Sequence, residues 1–114
     1  MLFEPGDKVH VITRRNFDGD LRRHYVGEIE GGFETTARIR GYVFMLDTAR
    51  NEFVRKPEER TTIIDLAESG YIVNVLPRHV DVEELTYSFS DQQKLVVTDN
   101  RGFSLDINEF GHNR

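Results

Sequence analysis

Apolar and polar residues alternate along most of the chain, which is the pattern of β-strands that bury one face. The alternation is clearest over Thr35–Asp47, where odd-numbered positions such as Ile39 and even-numbered positions such as Phe44 lie on opposite faces. No window carries the period of a long amphipathic helix. The sequence therefore predicts an all-β fold.

Turn-forming residues divide this pattern into nine predicted strands. The strands are expected at residues 8–13, 24–30, 35–47, 51–55, 61–66, 71–76, 80–89, 94–98 and 103–107. Gly31-Gly32 is predicted to turn the chain into the third strand. Pro77 is predicted to end the sixth strand, because proline cannot donate a ladder hydrogen bond. Residues 99–102 read Asp-Asn-Arg-Gly, a strong hairpin signal, so 94–107 is expected to be a C-terminal β-hairpin.

Composition limits the class of protein. The chain has 114 residues, of which 38% are hydrophobic, and it has no cysteine. A chain of this length can bury a core without disulfides, so we expect one soluble domain spanning residues 1–114. The lack of cysteine excludes thiolate chemistry and fits a reducing compartment. The chain shows neither the pattern of a signal peptide nor the ~18 apolar residues of a membrane span, so the expectation is a cytoplasmic protein without membrane contact.

Charge is divided unevenly between the two halves of the chain. Residues 61–114 hold nine acidic and four basic side chains, whereas residues 1–60 hold eleven of each. A net charge of −5 repels polyanions at long range, so nucleic-acid binding would need a local basic face. The arginines of the first half are interpreted instead as solvated strand-face charges paired with Glu28, Glu30 and Glu34.

Two hypotheses remain open for one face of the long predicted strand. Arg38 and Arg40 share this face with Tyr42 and Phe44. The combination could form a basic-aromatic surface of the kind that binds single-stranded nucleic acids. Alternatively, the face packs against the strands at either end of the chain, and the aromatic rings belong to the core.

The sequence lacks the motifs that carry catalysis or metal binding. His10, His24, His79 and His112 lie on separate predicted elements without metal-ligand spacing, and they are interpreted as surface or interface residues. His79 and Asp81 share a strand face and could form a dyad, although hydrogen bonding at the corner is favoured. No nucleophile elbow, phosphate-binding loop or dinucleotide fingerprint occurs. We therefore expect a protein that is not an enzyme and has no catalytic residue, metal or cofactor.

One motif is more specific. Residues 39–54 contain a glycine, an apolar residue two positions on, an Asp that follows an apolar residue, and an Asn four positions later before an apolar strand. Gly41, Val43, Asp47 and Asn51 fill these positions. The spacing resembles the first signature of Sm-like proteins. The glycine would let a long strand bend around a small barrel, and Asp47 and Asn51 would structure a tight turn.

The resemblance covers roughly residues 22–86 and implies an Sm-like, SH3-like small β-barrel. The N-terminal strand 8–13 and the C-terminal hairpin 94–107 are then additions, expected to pair with each other or to cap a barrel edge. Because the family assembles through edge strands, the resemblance implies a homo-oligomer. Added strands that covered those edges would prevent this assembly.

The resemblance also implies RNA as a partner, bound by a stacking side chain, Asn51 and a corner arginine. Here Ala49 offers no stacking face, and Leu76-Pro77 occupies the corner with Arg78 displaced beyond it. We therefore expect weak, salt-dependent RNA binding, driven by phosphate contacts of residues such as Arg50 and Arg78. The first hypothesis is a non-enzymatic, self-assembling binding module. The alternative is a protein-interaction or regulatory barrel domain without nucleic-acid binding.

Overall fold

The computed structural model of the chain describes residues 3–13, 23–47, 49–50, 52–67 and 71–107. These residues form nine β-strands: β1 (Lys8–Thr13), β2 (Arg23–Phe33), β3 (Thr36–Asp47), β4 (Glu52–Arg55), β5 (Arg60–Asp65), β6 (Tyr71–Leu76), β7 (Thr86–Phe89), β8 (Leu95–Thr98) and β9 (Ser104–Asp106). One 3-10 helix, Val82–Glu84, precedes β7, and the described ranges contain no α-helix. The predicted all-β class is confirmed.

Six strands form one antiparallel sheet in the order β4-β3-β2-β1-β6, with β5 also paired to β3. β2 and β3 make a long hairpin. β4 pairs with the end of β3, residues 44–47, and β5 pairs with its start, residues 36–41. Strand β3 therefore has neighbours on both sides over most of its length.

Strand β1 lies inside this sheet, between β2 and β6. Val9 is in register with Gly27 on one side and with Val75 on the other. Residues 8–13 are therefore an integral strand and not an addition to a barrel, because they join β6 to the rest of the sheet. Within the described residues, β6 at one end is not paired with β4 or β5 at the other, so the sheet is open and does not close into a barrel.

Two glycines face each other across β2 and β3, where Gly27 is in register with Gly41. A Cβ atom on Gly41 would lie 1.9 Å from the carbonyl oxygen of Val26 and 2.6 Å from the Cα of Gly27. No side chain fits at such distances from a neighbouring backbone. This close approach explains why a glycine occupies the middle of β3.

The six-stranded sheet buries side chains on both faces. A three-stranded sheet, β7-β8-β9, and the 3-10 helix contribute to one core, the inter-sheet cluster: Val26, Tyr42, Phe44, Leu76, Val80, Val82, Leu85, Val97 and Ile107. The opposite face of the larger sheet carries a second core, the far-face cluster: Val9, Val11, Ile29, Ala37, Ile39 and Ile64. Tyr42 and Phe44 are only 8% and 2% exposed, so these two rings pack in the inter-sheet cluster and do not form a basic-aromatic surface with Arg38 and Arg40.

The turn between β2 and β3 lies beyond the position predicted for it. Gly31 and Gly32 continue β2, since the ladder shifts register after Ile29 and then resumes. The chain turns instead at Glu34, whose φ of 54° is in the left-handed region. A bulge, which the alternation of side chains does not reveal, extends the hairpin.

The sequence predicts one strand over residues 80–89, whereas the structure divides this segment. The Asp81 side chain accepts a hydrogen bond from the Glu83 backbone N at 3.1 Å and so caps the 3-10 helix. Val82 and Leu85, three residues apart, are both buried, a spacing that suits a helical turn better than a strand. Downstream, β8 and β9 form the predicted C-terminal hairpin.

Candidate functional site

The turn after β3 is built on Asp47. Its Oδ1 accepts hydrogen bonds from the backbone N of Ala49 at 3.1 Å and of Arg50 at 3.4 Å. An Asp that bonds the backbone two and three residues on makes an Asx turn, which fixes the short connection between β3 and β4. Asn51, the other residue expected to structure this turn and to contact RNA, lies outside the described residues.

Arg50 and Arg78 lie at opposite ends of the six-stranded sheet. Arg50 belongs to the turn after β3 and forms an ion pair with Glu52, Nη2 to Oε1, at 2.9 Å. Arg78 follows β6 and donates to Oδ1 of Asp7 at 2.8 Å. Asp7 directly precedes β1, whose first residue, Lys8, is in register with Glu28 of β2. The structure thus ties Arg78 to the start of β1 and Arg50 to the turn at the end of β3.

Other arginines on the sheet are also engaged. Arg40 lies 3.2 Å from Glu30 and 3.1 Å from Glu59, as the interpretation of paired strand-face charges requires. Arg55 donates to a backbone carbonyl of the 3-10 helix at 2.6 Å, and its guanidinium lies 4.4 Å from the ring centroid of Tyr42. These contacts tie the positive charges to acceptors of the same chain.

A polar cluster joins the two sheets, and it is the feature that sequence reasoning missed. His10 on β1 and His24 on β2 are 0% and 1% exposed, so they are core residues and not surface residues. The hydroxyl of Tyr87 on β7 lies 2.8 Å from His10 Nε2 and also hydrogen-bonds to His24 Nδ1. These three residues are called the His-Tyr cluster below. The one sequence signal of the burial of His10 is Ile12, an apolar residue two positions on and therefore on the same face of β1.

Burial controls the protonation of the His-Tyr cluster. Burial lowers the pKa of His10 to about 3, and the neighbouring His24 contributes a smaller part of this shift. Burial also raises the pKa of Tyr87. Phe44 stacks on Tyr87 with ring centroids 4.3 Å apart, and Phe53 packs against His24 at 4.6 Å. At neutral pH His10 and Tyr87 are therefore uncharged, and neutral hydrogen bonds connect the sheets.

Asp81, considered as one half of a dyad with His79, instead accepts a hydrogen bond from the backbone N of Glu83 and caps the 3-10 helix. Asp99 is nearly buried, and its Oδ1 accepts backbone hydrogen bonds from Arg101 at 2.8 Å and Phe103 at 3.0 Å, which shape the last hairpin. Among the described residues, no group of three or more His, Asp or Glu side chains is placed to hold a metal ion. No helix of the described chain is long and apolar enough to cross a membrane.

Both outer edges of the six-stranded sheet carry exposed apolar side chains. Ile72 and Val75 on β6 are 49% and 62% exposed, and Ile63 on β5 is 61% exposed. Within the described residues, no strand pairs with the outer side of β6. An unpaired edge presents a row of backbone donors and acceptors that another strand can bind.

The described chain thus offers two functional features. The open edges can bind a further strand, and the His-Tyr cluster couples the two sheets. No protein-family model, curated protein or solved structure matches the chain.

Proposed function

We propose that the chain is a non-enzymatic, self-assembling binding module whose copies join through the open edges of the six-stranded sheet. The observation that carries this proposal is β6, residues Tyr71–Leu76, an edge strand without a charged residue or proline and with Ile72 and Val75 exposed. Natural proteins protect edge strands with charges, prolines, bulges or covering elements. Pairing with a strand of a second copy would satisfy the backbone groups of β6 and bury both side chains.

The proposal includes an Sm-like fold for this sheet. The close backbone approach at Gly41 and the Asx turn at Asp47 support it, since both occur at positions of the motif. An open sheet of this kind leaves both outer strands available to neighbouring copies.

Light scattering at tens of micromolar is expected to give a mass that is a multiple of the 13.3 kDa chain. Val75→Lys places a charge on the edge of β6 and should lower this mass toward that of one chain. Its urea midpoint should hardly change, since Val75 is largely exposed. Phe33→Lys is the matched control, because Phe33 is 76% exposed but lies at the end of β2, an inner strand. This variant should assemble like the wild type.

A further variant identifies the partner edge. If β6 pairs with β5 of the next copy, Ile63→Lys should also lower the mass, and a mixture of the Ile63→Lys and Val75→Lys proteins should recover only a dimer. If β6 pairs with β6, Ile63→Lys should assemble normally. A wild-type chain that remains a 13.3 kDa monomer at this concentration would contradict the proposal.

The ion pairs favour the alternative form of the module, a protein-interaction or regulatory domain without nucleic-acid binding. Arg40, Arg50 and Arg78 are each paired with a carboxylate of the same chain, which weakens their attraction for phosphate. Any RNA contact is then sequence-independent and involves few phosphates.

Titration with a short uridine-rich RNA at about 0.15 M salt is expected to show weak or no binding. Residual binding should fall as salt rises, by a log-log slope of roughly 0.7 for each phosphate contact. Replacing Arg50 or Arg78 with Gln should reduce that slope without affecting folding. Tight, sequence-selective binding that is lost in Asn51→Ala, with folding intact, would instead support an RNA site of the kind the resemblance implies.

A further inference from the structure

The His-Tyr cluster is a polar bridge inside an apolar interface. His10 and His24 belong to the six-stranded sheet and Tyr87 to the three-stranded sheet, so both hydrogen bonds of the tyrosine hydroxyl cross from one sheet to the other. The surrounding side chains belong to the inter-sheet cluster or pack against it. Such a bridge stabilises the packing of the two sheets only while each hydrogen-bond donor faces an acceptor.

One arrangement of protons is consistent with these hydrogen bonds. With the Asn74 amide nitrogen, a donor, placed 3.5 Å from Nδ1 of His10, Nδ1 accepts and the ring proton is on Nε2. His10 Nε2 then donates to the hydroxyl of Tyr87, which donates in turn to Nδ1 of His24. The hydrogen bonds therefore run in one direction, from Asn74 through His10 and Tyr87 to His24. This order requires that Nδ1 of each imidazole carries no proton.

Protonation of either imidazole reverses part of this order. A proton on Nδ1 of His10 would face the amide hydrogens of Asn74. A proton on Nδ1 of His24 would face the hydroxyl hydrogen of Tyr87. Since both rings are at most 1% exposed, water cannot accept the displaced hydrogen bonds, and the charged ring loses its hydration.

The side chains that face His10 and Tyr87 from the neighbouring strands are uncharged or are engaged elsewhere. Phe44, Phe53 and Asn74 lie against the cluster on β3, β4 and β6. Arg55 on β4 and Lys8 on β1 donate to backbone carbonyls. The pKa of His10 is lowered by burial and by His24, and the carboxylates on the described elements packed around it are not among the causes: Glu28, Glu30, Asp47, Glu52, Glu83 and Glu84.

We infer that the His-Tyr cluster is an acid-sensitive link, which holds the β7-β8-β9 sheet on the six-stranded sheet at neutral pH and releases it when His10 is protonated. The far-face cluster contains no residue from β7, β8 or β9, so the larger sheet keeps that core when the smaller sheet leaves. The inference concerns the coupling of the two sheets and does not depend on assembly of copies.

The direction of the pH effect follows from linkage. The pKa of His10 is about 3 in the folded protein and near 6.5 in an unfolded chain. Between these values the released state binds more protons than the closed state, so closure becomes more favourable as pH rises. The link is therefore complete above about pH 6.5 and weakens progressively as the pH falls toward 3.

Amide hydrogen exchange of the full chain, followed by NMR between about pH 7 and pH 4, tests the link. Protection factors of β7 and β8 should fall by up to about tenfold per pH unit below 6.5, because one proton is taken up on release. Amides of β2 and β3 beside the far-face cluster should remain protected. The double variant His10→Leu, His24→Leu should lose this pH dependence, whereas His79→Leu, at an exposed histidine, should retain it.

Two results would overturn the inference. Equal loss of protection in both sheets would show global unfolding without separate release, and an unchanged pH profile in the double variant would show that these histidines do not control release. If the double variant does not fold, the NMR titration of His10 in the wild-type protein decides the question. A midpoint well below 6.5 supports the link, and a midpoint near 6.5 contradicts it.

Discussion

Gly41→Ala is expected to lower the free energy of unfolding by about 3 kcal/mol or more. The added Cβ would lie 1.9 Å from the carbonyl oxygen of Val26, a backbone atom that cannot rotate away as a side chain can. Relief requires β2 and β3 to separate, and these two strands form the longest pairing of the sheet. Urea denaturation followed by circular dichroism should show a markedly lower midpoint.

Gly31→Ala is the matched control for this effect. Gly31 also lies in the β2–β3 hairpin, but a Cβ on it would meet no atom within 4 Å. Its substitution should leave the midpoint unchanged or raise it slightly, since alanine reduces the freedom of the unfolded chain. Equal midpoints for Gly41→Ala and Gly31→Ala would show that the close approach is not needed for stability.

Phe44→Ala is the second substitution with a large expected effect, a loss of about 3–5 kcal/mol. The side chain of Phe44 is 2% exposed, belongs to the inter-sheet cluster and stacks on Tyr87. Its removal leaves a cavity between the two sheets and takes away the ring that supports the His-Tyr cluster. Thermal and urea unfolding should both report the loss.

Phe33→Ala separates burial from residue type in the same measurement. Phe33 lies on β2, beside β3, but is 76% exposed, so its truncation should change the free energy of unfolding by less than about 0.5 kcal/mol. A comparable loss in Phe33→Ala and Phe44→Ala would contradict the assignment of Phe44 to the core.

The strands themselves could be predicted because their signal is local. Alternation gave residues 8–13 and 71–76 with the bounds that the structure shows for β1 and β6. It failed over residues 80–89, where Val80 and Val82 have the period of a strand while Asp81 caps a helical turn. Local capping chemistry there outweighs the pattern.

Strands that pair without being consecutive in the chain could not be predicted, because alternation shows which residues share a face but not which distant strands pair. Residues 8–13 read as an addition, since nothing in their sequence indicates that two other strands flank them. The same limit hid the His-Tyr cluster. His10 and His24 meet Tyr87 only through the pairing of β1 with β2 and the packing of two sheets.

The candidate turn and RNA residues divide in the same way. Asp47 acts on atoms two and three residues away, so its Asx turn follows from sequence. The place of Arg78 depends on its contact with Asp7, about 70 residues earlier in the chain, which spacing along the chain cannot show. Asn51 lies outside the described residues, and its role stays a prediction.

The central place of β1 sets an order for folding during synthesis. Its first partner, β2, leaves the ribosome soon after it. Its second partner is β6, so the pairing of Val9 with Val75 can form only after about 65 more residues have been synthesised. Until Leu76 has emerged, one side of β1 is a nascent edge that can pair with another chain. The β2–β3 hairpin needs only neighbouring residues and can form first. Translation speed between Asp65 and Leu76 is therefore expected to govern how much of the newly made protein reaches the folded state.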